Sequence, residues 1–437
     1  MKNKVNIVPL GCSKNLVDAE RLLSMLGNSG IHAAVSDSPA NPADIVVINT
    51  CGFIGDAKEE SINTILEAAE AKAEGRVKKI LVMGCLSERY AKELPAELPE
   101  VDGWYGKFDW NKIAAEVAHA NPASTPYDRI ITTPRHNAYV KISEGCNRFC
   151  AFCAIPLITG RMHSRPIEEI EAEVRALTQR GVKEFNVIAQ DLSGYGLDLP
   201  GNKHQLPTLV ERLADIPGVE WLRLHYGYPS DFPMDTMRVM AERPNVCSYL
   251  DIALQHIADP VLTNMRRHIN GAQTRELIAQ MRQMVPDLHL RTTLMVGFPG
   301  EGDKEFDELM QFVRKTRFER MGAFAYCEED DTYAAKNFAD DIPQEVKQAR
   351  LDALMAEQED ISLDIQEEKI GQTLRVIIDR EEKEHYIGRT QWDSPEVDPE
   401  VLIKKEDGVK LQRGDFANVE ITSAMPFELF GKVANNA

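Results

Sequence analysis

Glu144-Gly145-Cys146-Asn147-Arg148-Phe149-Cys150-Ala151-Phe152-Cys153 carries three cysteines in C-x3-C-x2-C spacing, directly after the short apolar run Ala138-Tyr139-Val140-Lys141-Ile142. That run reads as a strand, which places the cysteines on the loop at its carboxyl end. Three thiolates this close in sequence can hold three corners of a four-iron, four-sulfur cubane, a group that ordinarily takes four cysteines. A loop bringing only three leaves one iron open to a ligand from outside the chain. Structural zinc would call for two C-x2-C halves or for histidine partners; the sequence has no second C-x2-C and no H-x3-5-H. An electron-transfer cluster would want a fourth cysteine nearby, and the next one along is Cys247.

Working outward, the strand before this loop is the first of six in a strand-then-helix rhythm: Ala138–Ile142, Phe185–Ala189, Trp221–His225, Tyr249–Leu254, His289–Val296 and Gly322–Tyr326. Helical patterns lie between them, among them Pro166–Arg180, Thr274–Met284 and Asp303–Lys315. Alternation of this kind predicts a parallel sheet. Six units are too few for a closed eight-fold barrel and fit a partial (β/α)6 barrel, with its active site at the carboxyl ends of the strands. Those ends offer Gln190 and Asp191, Arg223 and His225, Gln255 and His256, and Gly297 after Val296.

The first 120 residues repeat the theme. Val5–Val8, Asp44–Ile48 and Ile80–Met83 read as strands of an open parallel α/β sheet, separated by helical patterns such as Val17–Leu26 and Glu59–Ala73. Each strand runs into a cysteine, at Gly11-Cys12, Cys51-Gly52 and Gly84-Cys85. Strand ends in such a sheet share one edge, so Cys12, Cys51 and Cys85 are expected to converge despite their separation in sequence. A lone cysteine is more often a small buried hydrophobe; the threefold repetition favours a second three-cysteine site, again one ligand short.

The C-x3-C-x2-C loop resembles that of radical S-adenosylmethionine (SAM) enzymes, and two such cysteine sets in this order resemble the methylthiotransferases among them. In that superfamily the open iron holds SAM, and an electron from the cluster splits its sulfonium to give a 5′-deoxyadenosyl radical. Gly11-Cys12-Ser13-Lys14-Asn15-Leu16-Val17-Asp18-Ala19-Glu20 resembles the branch that acts on a ribosomal protein, since the tRNA branch usually has glutamine and methionine where Ser13 and Lys14 stand. The resemblance implies that Phe152 lies against the adenine of SAM. It also implies that Thr292–Glu301, with Val296 and Gly297, backs the adenine and ribose, and that Gln190, Arg223 and Gln255 complete the cofactor site. No side chain is assigned an acid–base or nucleophilic role, because an aliphatic C–H beside a carboxylate is not acidic enough for an ordinary base. Cys247 reads as a packed thiol, and Cys327 is not expected to be a ligand.

The tail opens with a long helix predicted over Pro343–Lys369, amphipathic through Val346, Leu351, Leu354 and Met355 and stopped near Gly371. Strand-like runs follow at Leu374–Ile378, Tyr386–Arg389, Val401–Ile403 and Phe416–Ile421, which suggests a small all-β barrel. It resembles the TRAM domain that ends methylthiotransferases. From Gly371 to Ala437 there are 9 Lys and Arg against 13 Asp and Glu, a net of −4. An RNA-grasping barrel would be basic; an acidic one would steer toward a basic partner such as a ribosomal protein. Glu328-Glu329-Asp330-Asp331 reads as a solvated loop.

The totals agree. A chain of 437 residues with 43% hydrophobic and 27% charged content has the material for two to four domains. The expected division is 3–120, 132–369 and 371–437, with a Pro-rich join at Asn121–Pro126. A net charge of −19 argues against nucleic acid as the direct substrate. Eight cysteines in a chain this long suggest metal rather than a disulfide scaffold. With no apolar signal at the start and no span long enough for a bilayer, a reducing cytoplasm is the expected compartment. The composite expectation is β-methylthiolation of an aspartate in the small-subunit ribosomal protein at the decoding centre. Two 4Fe-4S clusters, SAM, a flavodoxin or ferredoxin electron donor and a monomeric enzyme belong to it. The runner-up is the tRNA branch; a non-catalytic iron–sulfur protein is the alternative of another class.

Overall fold

The computed structural model describes residues 4–119 and 128–434, so the join at 121–126 lies outside the described residues. The first sheet has five parallel strands in the order His32–Val35, Lys4–Pro9, Ala43–Thr50, Val77–Gly84 and Gly103–Trp104. The three central ones are those expected. The outer two escaped notice because one is a half-exposed four-residue strand and the other only a two-residue pairing. Side chains alternate across a strand, and the core divides accordingly. Val5, Ile7, Ile45, Val47, Leu81 and Met83 pack under helices Ser13–Asn28 and Trp110–Ala118. Val8, Val46, Ile48, Ile80 and Val82 face the opposite layer, with Ile65 and Ala68 of helix Gly55–Ala73.

The central sheet is open and parallel, its six strands adjacent in chain order: Asn137–Lys141, Glu184–Ile188, Trp221–Gly227, Val246–Ile252, His289–Val296 and Arg320–Ala325. The C-terminal region is a closed barrel of five strands in the order Thr373–Glu381, His385–Thr390, Glu400–Lys404, Glu428–Val433 and Phe416–Met425. Four were expected. The fifth, Glu428–Val433, pairs in parallel with Glu400–Lys404 and carries Gly431 in its middle, a weak strand signal locally. Alternate residues Val376 and Ile378, Val401 and Ile403, and Val419 and Ile421 fill the barrel.

The two smaller bodies cap opposite ends of the central sheet. At the amino ends of its strands sits the β-barrel. Arg389 binds Glu184 (2.6 Å) and Asp379 (2.7 Å), Arg320 binds Asp393, Arg291 binds Asp398, and His136 meets Asp379 at 2.8 Å. Trp392 stacks on His289, and Ile377 packs with Trp221, Cys247 and Tyr249. Cys247 is therefore a packed thiol, as read. The barrel's acid content is in part a docking device, since Asp379, Asp393 and Asp398 turn inward; this weakens the argument that its charge steers a basic partner.

At the carboxyl ends sits the N-terminal sheet. Arg129 bridges Glu20 of the first helix (3.1 Å) and Glu173 of helix Ile167–Thr178 (3.2 Å), and Arg165 reinforces Glu173 at 2.7 Å. The acidic stretch at 328–331 is not simply solvated. Glu329 is buried, paired with Lys58 (2.9 Å) and Arg89 (2.8 Å), while Asp330 accepts from Tyr90 at 3.1 Å, so this loop ties the central body to the N-terminal one.

Helix Gln344–Glu367 runs between the strands Arg320–Ala325 and Phe416–Met425. It departs from the amphipathic expectation. Leu354, Ile361 and Ile365 are buried, but so are Lys347, Arg350 and Gln358, held by Asp340 (2.6 Å), Glu301 (2.8 Å) and the Phe318 carbonyl (2.9 Å). Among the described residues no helix is long and apolar enough to cross a membrane.

Candidate active site

Cys12, Cys51 and Cys85 follow three neighbouring parallel strands, so all three leave the sheet at one edge. The glycines beside them draw the loops toward one another as much as toward a ligand. At Gly11 (φ +80°), a Cβ would stand 2.6 Å from the Cys51 Cβ. The C-x3-C-x2-C loop is folded back in the same way. Gly145 has φ +78°, and a Cβ there would meet the Arg161 carbonyl at 2.2 Å. The Cys146 N–H donates to the Gly160 carbonyl (3.2 Å) and the Ala151 N–H to the Met265 carbonyl (2.9 Å).

All six of these cysteines line one cavity of about 370 Å³ between the N-terminal sheet and the carboxyl ends of the central strands. Phe152, Gln190 and Gln255 line it as well, together with Lys14, Lys107, Arg148, Arg267, Tyr226 and Tyr228. Phe152 packs edge-on against Phe298, which comes from the Thr292–Glu301 segment, with ring centres 6.1 Å apart. Gln255, at φ +71°, is braced by the same segment through its N–H to the Thr293 carbonyl (3.0 Å) and its carbonyl to the Met295 N–H (2.7 Å). Its side-chain Oε1, like that of Gln190, is buried with no partner among the described residues. Both amides therefore keep an acceptor for a bound group.

Three expected cofactor contacts lie elsewhere. Arg223 is fully buried below the rim, bound to Glu184 (3.1 Å) and to the Gln391 carbonyl of the β-barrel. The strand runs on to Gly227 rather than ending at His225, so Tyr226 and Tyr228 occupy the rim position. Val296 packs in the core of the central body. Gly297 donates to Glu301 Oε1 (2.9 Å) and is pressed against the Lys347 side chain. Cys327 is exposed and does not line the cavity.

A buried polar chain joins the two cysteine sets. Asn15 Oδ1 lies 3.8 Å from Cys85 Sγ and accepts from Lys107 Nζ at 3.2 Å. Lys107 pairs with Asp18 (3.1 Å), Asp18 with Lys141, and Lys141 with Glu144, which accepts from Gln190 at 2.8 Å. Sequence reasoning missed Lys107, Arg267 and both tyrosines, since nothing in their local pattern points to a site.

The thiols differ. Burial pushes Cys85 and Cys146 up to about 12, raises Cys51, and raises Cys153 further still. Burial acts on Cys12 too, but Lys14, Lys107 and two backbone N–H groups more than offset it and leave this thiol below its ordinary value. Metal binding deprotonates even a high-pKa thiol. No three Cys, His, Asp or Glu side chains among the described residues are grouped to chelate a single ion. Two soft three-sulfur sets around one cavity suit iron–sulfur clusters.

Known proteins match along the whole chain. Residues 4–106 match the family described as uncharacterized protein family UPF0004, 140–313 the radical SAM superfamily, and 370–434 the TRAM domain. The solved radical SAM methyltransferase TsrM from Kitasatospora setae aligns with TM-score 0.55 at 13% identity, covering 73% of this chain and 72% of its own. The cobalamin-dependent radical SAM enzyme OxsB aligns with TM-score 0.53 at 12% identity, covering 82% and 56%. These two show the fold alone. Proteins named ribosomal protein uS12 methylthiotransferase RimO are 58% identical in Parabacteroides distasonis, over 99% of this chain and 100% of the relative. The Flavobacterium johnsoniae protein of that name is 46% identical, over 99% and 98%. With such identity from end to end, the chain belongs to the ribosomal protein uS12 methylthiotransferase family.

Proposed function

We propose that this chain β-methylthiolates an aspartate of ribosomal protein uS12, using two 4Fe-4S clusters and SAM. The observation that carries the reading is the single cavity lined by both three-cysteine sets. Cys146, Cys150 and Cys153 would hold one cluster, and Cys12, Cys51 and Cys85 the other. When bound, the clusters and SAM supply a radical that takes hydrogen from carbon, together with the sulfur and methyl group to be transferred.

The chain's own residues hold and shield. Phe152 offers a flat apolar face for the adenine of SAM, and the unpartnered oxygens of Gln190 and Gln255 accept hydrogen bonds from it. Arg267 donates to Cys150 Sγ at 3.1 Å and lies over the Tyr228 ring, 4.1 Å from its centre. It would balance thiolate charge there. Arg148, bound to Asp191 at 2.6 Å, steadies the loop beside Cys146. The chain Asn15–Lys107–Asp18–Lys141–Glu144 keeps the two cysteine sets in fixed relation. A reducing cytoplasm, a flavodoxin or ferredoxin donor and a monomeric enzyme divided at 3–120, 132–369 and 371–437 complete the reading.

The test is anaerobic reconstitution followed by incubation with dithionite, SAM and either uS12 or tRNA. A methylthio mass gain on uS12 is expected. A gain on tRNA with none on uS12 would overturn the substrate assignment.

A further inference from the structure

Four cations line the cavity, and none of its lining residues is a carboxylate. Three of the four are answered from within the fold: Lys107 by Asp18, Arg148 by Asp191, and Arg267 by the Cys150 sulfur and the Tyr228 ring. Lys14 is the exception. It opens helix Ser13–Asn28 two residues after Cys12 and is only 7% exposed. Among the described residues its ammonium sits on the face of Tyr226, 3.2 Å from the ring centre, with no carboxylate within ion-pair distance; the buried Asp251 carboxyl and the Cys12 thiol feel its charge from further off. An ammonium has three N–H donors, and an aromatic face answers its charge without accepting them as a carboxylate would. A cation this buried, open to a cavity and without a directly paired carboxylate, is costly unless something that enters pairs with it.

We propose that Lys14 binds the side-chain carboxylate of the target aspartate and so selects an acidic side chain over an amide or a base. The inference rests on the function proposed above and adds the residue that reads the substrate. Its position fits the task. Lys14 comes from the N-terminal body and Tyr226 from the rim of the central one, so a carboxylate held there lies where the two cysteine sets face each other. The carbon to be modified is bonded directly to that carboxylate. SAM also carries a carboxylate, and the cluster beside Cys12 would carry negative charge, so the experiment separates these three sources.

The full chain, Lys14→Met and Lys14→Arg are reconstituted and titrated without reductant against fluorescently labelled uS12 and against uS12 with the target aspartate changed to asparagine. The unaltered chain is expected to bind the aspartate form about 10- to 100-fold more tightly, the range for a hydrogen bond to a charged group. In Lys14→Met that preference should fall below about threefold, and in Lys14→Arg it should return in part. Iron stays at about eight per chain throughout, and SAM affinity is unchanged. A preference that survives in Lys14→Met overturns the proposal. So does a loss of SAM affinity, which would make SAM the partner, or a fall to about four irons, which would make the cluster the partner. Equal binding of both uS12 forms by the unaltered chain overturns it while leaving the function intact. An unaltered chain that shows the aspartate preference but never modifies uS12 upholds Lys14 as the carboxylate reader and defeats the function instead.

Discussion

The two ends of the central sheet handle charge in opposite ways. At the amino ends, Arg389, Arg320 and Arg291 each meet a carboxylate carried by the β-barrel or the sheet itself. At the carboxyl ends, four cations and six cysteines line a cavity without a lining carboxylate. At the amino end each of these arginines is answered by a carboxylate of the fold, and the contacts hold parts together. The carboxyl end keeps uncommitted donors and acceptors, the mark of a surface that completes itself with what it binds.

Removing one cysteine from each set breaks the comparison most sharply. Cys150→Ala and Cys51→Ala should each abolish methylthiolation of uS12 and lower iron from about eight to about four per chain, as measured on anaerobically reconstituted protein. They should differ in one respect: Cys51→Ala still cleaves SAM to 5′-deoxyadenosine, and Cys150→Ala does not. Iron remaining near eight in Cys51→Ala would mean that Cys51 is not a cluster ligand.

At the opposite end the loss should fall on stability. Arg389 is buried and bonds Glu184, Asp379 and the Asp393 carbonyl. Arg389→Met leaves Glu184 with Arg223 alone and Asp379 with His136 alone, so it should cost about 3–5 kcal/mol in urea unfolding. Iron content should be retained. An unchanged midpoint would show that the barrel is held by its apolar contacts instead.

The same contrast explains what could be read from the sequence. Both cysteine sets were legible because each cysteine follows a strand or sits on a short loop, and His289–Val296 was bounded correctly within the strand-then-helix rhythm. Arg223 was misplaced because the strand Trp221–Gly227 outlasts its apolar pattern by two residues, which moves the rim to Tyr226 and Tyr228. Val296 and Gly297 do end a strand, but they are covered by helix Gln344–Glu367, about fifty residues on in the chain. The pairing of Arg389 with Glu184 spans 205 residues and leaves no local trace in either segment. Lys14 was quotable as part of a pattern, but that no carboxylate pairs with it directly is a property of the folded cavity.

Acid should loosen the amino end, and with it the polar chain beside the cavity, where, against burial, Lys141 and Lys107 hold Glu144 down from 4.5 to about 2. Burial alone would push the Asp379 carboxyl up, yet Arg389 and His136 hold it down to about 2; Arg320 and Lys369 do the same for Asp393, also to about 2. Groups held below their ordinary value of 3.8 contribute stability that is complete above that value and lost as pH falls toward 2. The two together should remove about 4 kcal/mol over that window, seen as a falling urea midpoint. In Arg389→Met the Asp379 share of the acid response should shrink to what His136 still holds.

Asp251 should work the other way and more weakly. It lies near the end of strand Val246–Ile252, 7% exposed, accepting from the Tyr226 N–H at 3.4 Å. Burial raises its carboxyl from 3.8 to about 6 against the pull of Arg291, the Tyr226 N–H and Lys14, with Asp398 adding to the rise. A folded chain that keeps this proton longer than the unfolded one loses stability as pH climbs from about 4 to 6. The decline should be roughly 2 kcal/mol. The stability profile therefore rises from pH 2 to 4 and then sags. Asp251→Asn has no proton to lose, so its profile should be flat from 4 to 6 with the acid limb unchanged. A sag that persists in that variant would assign the titration to another group and remove Asp251 as its source.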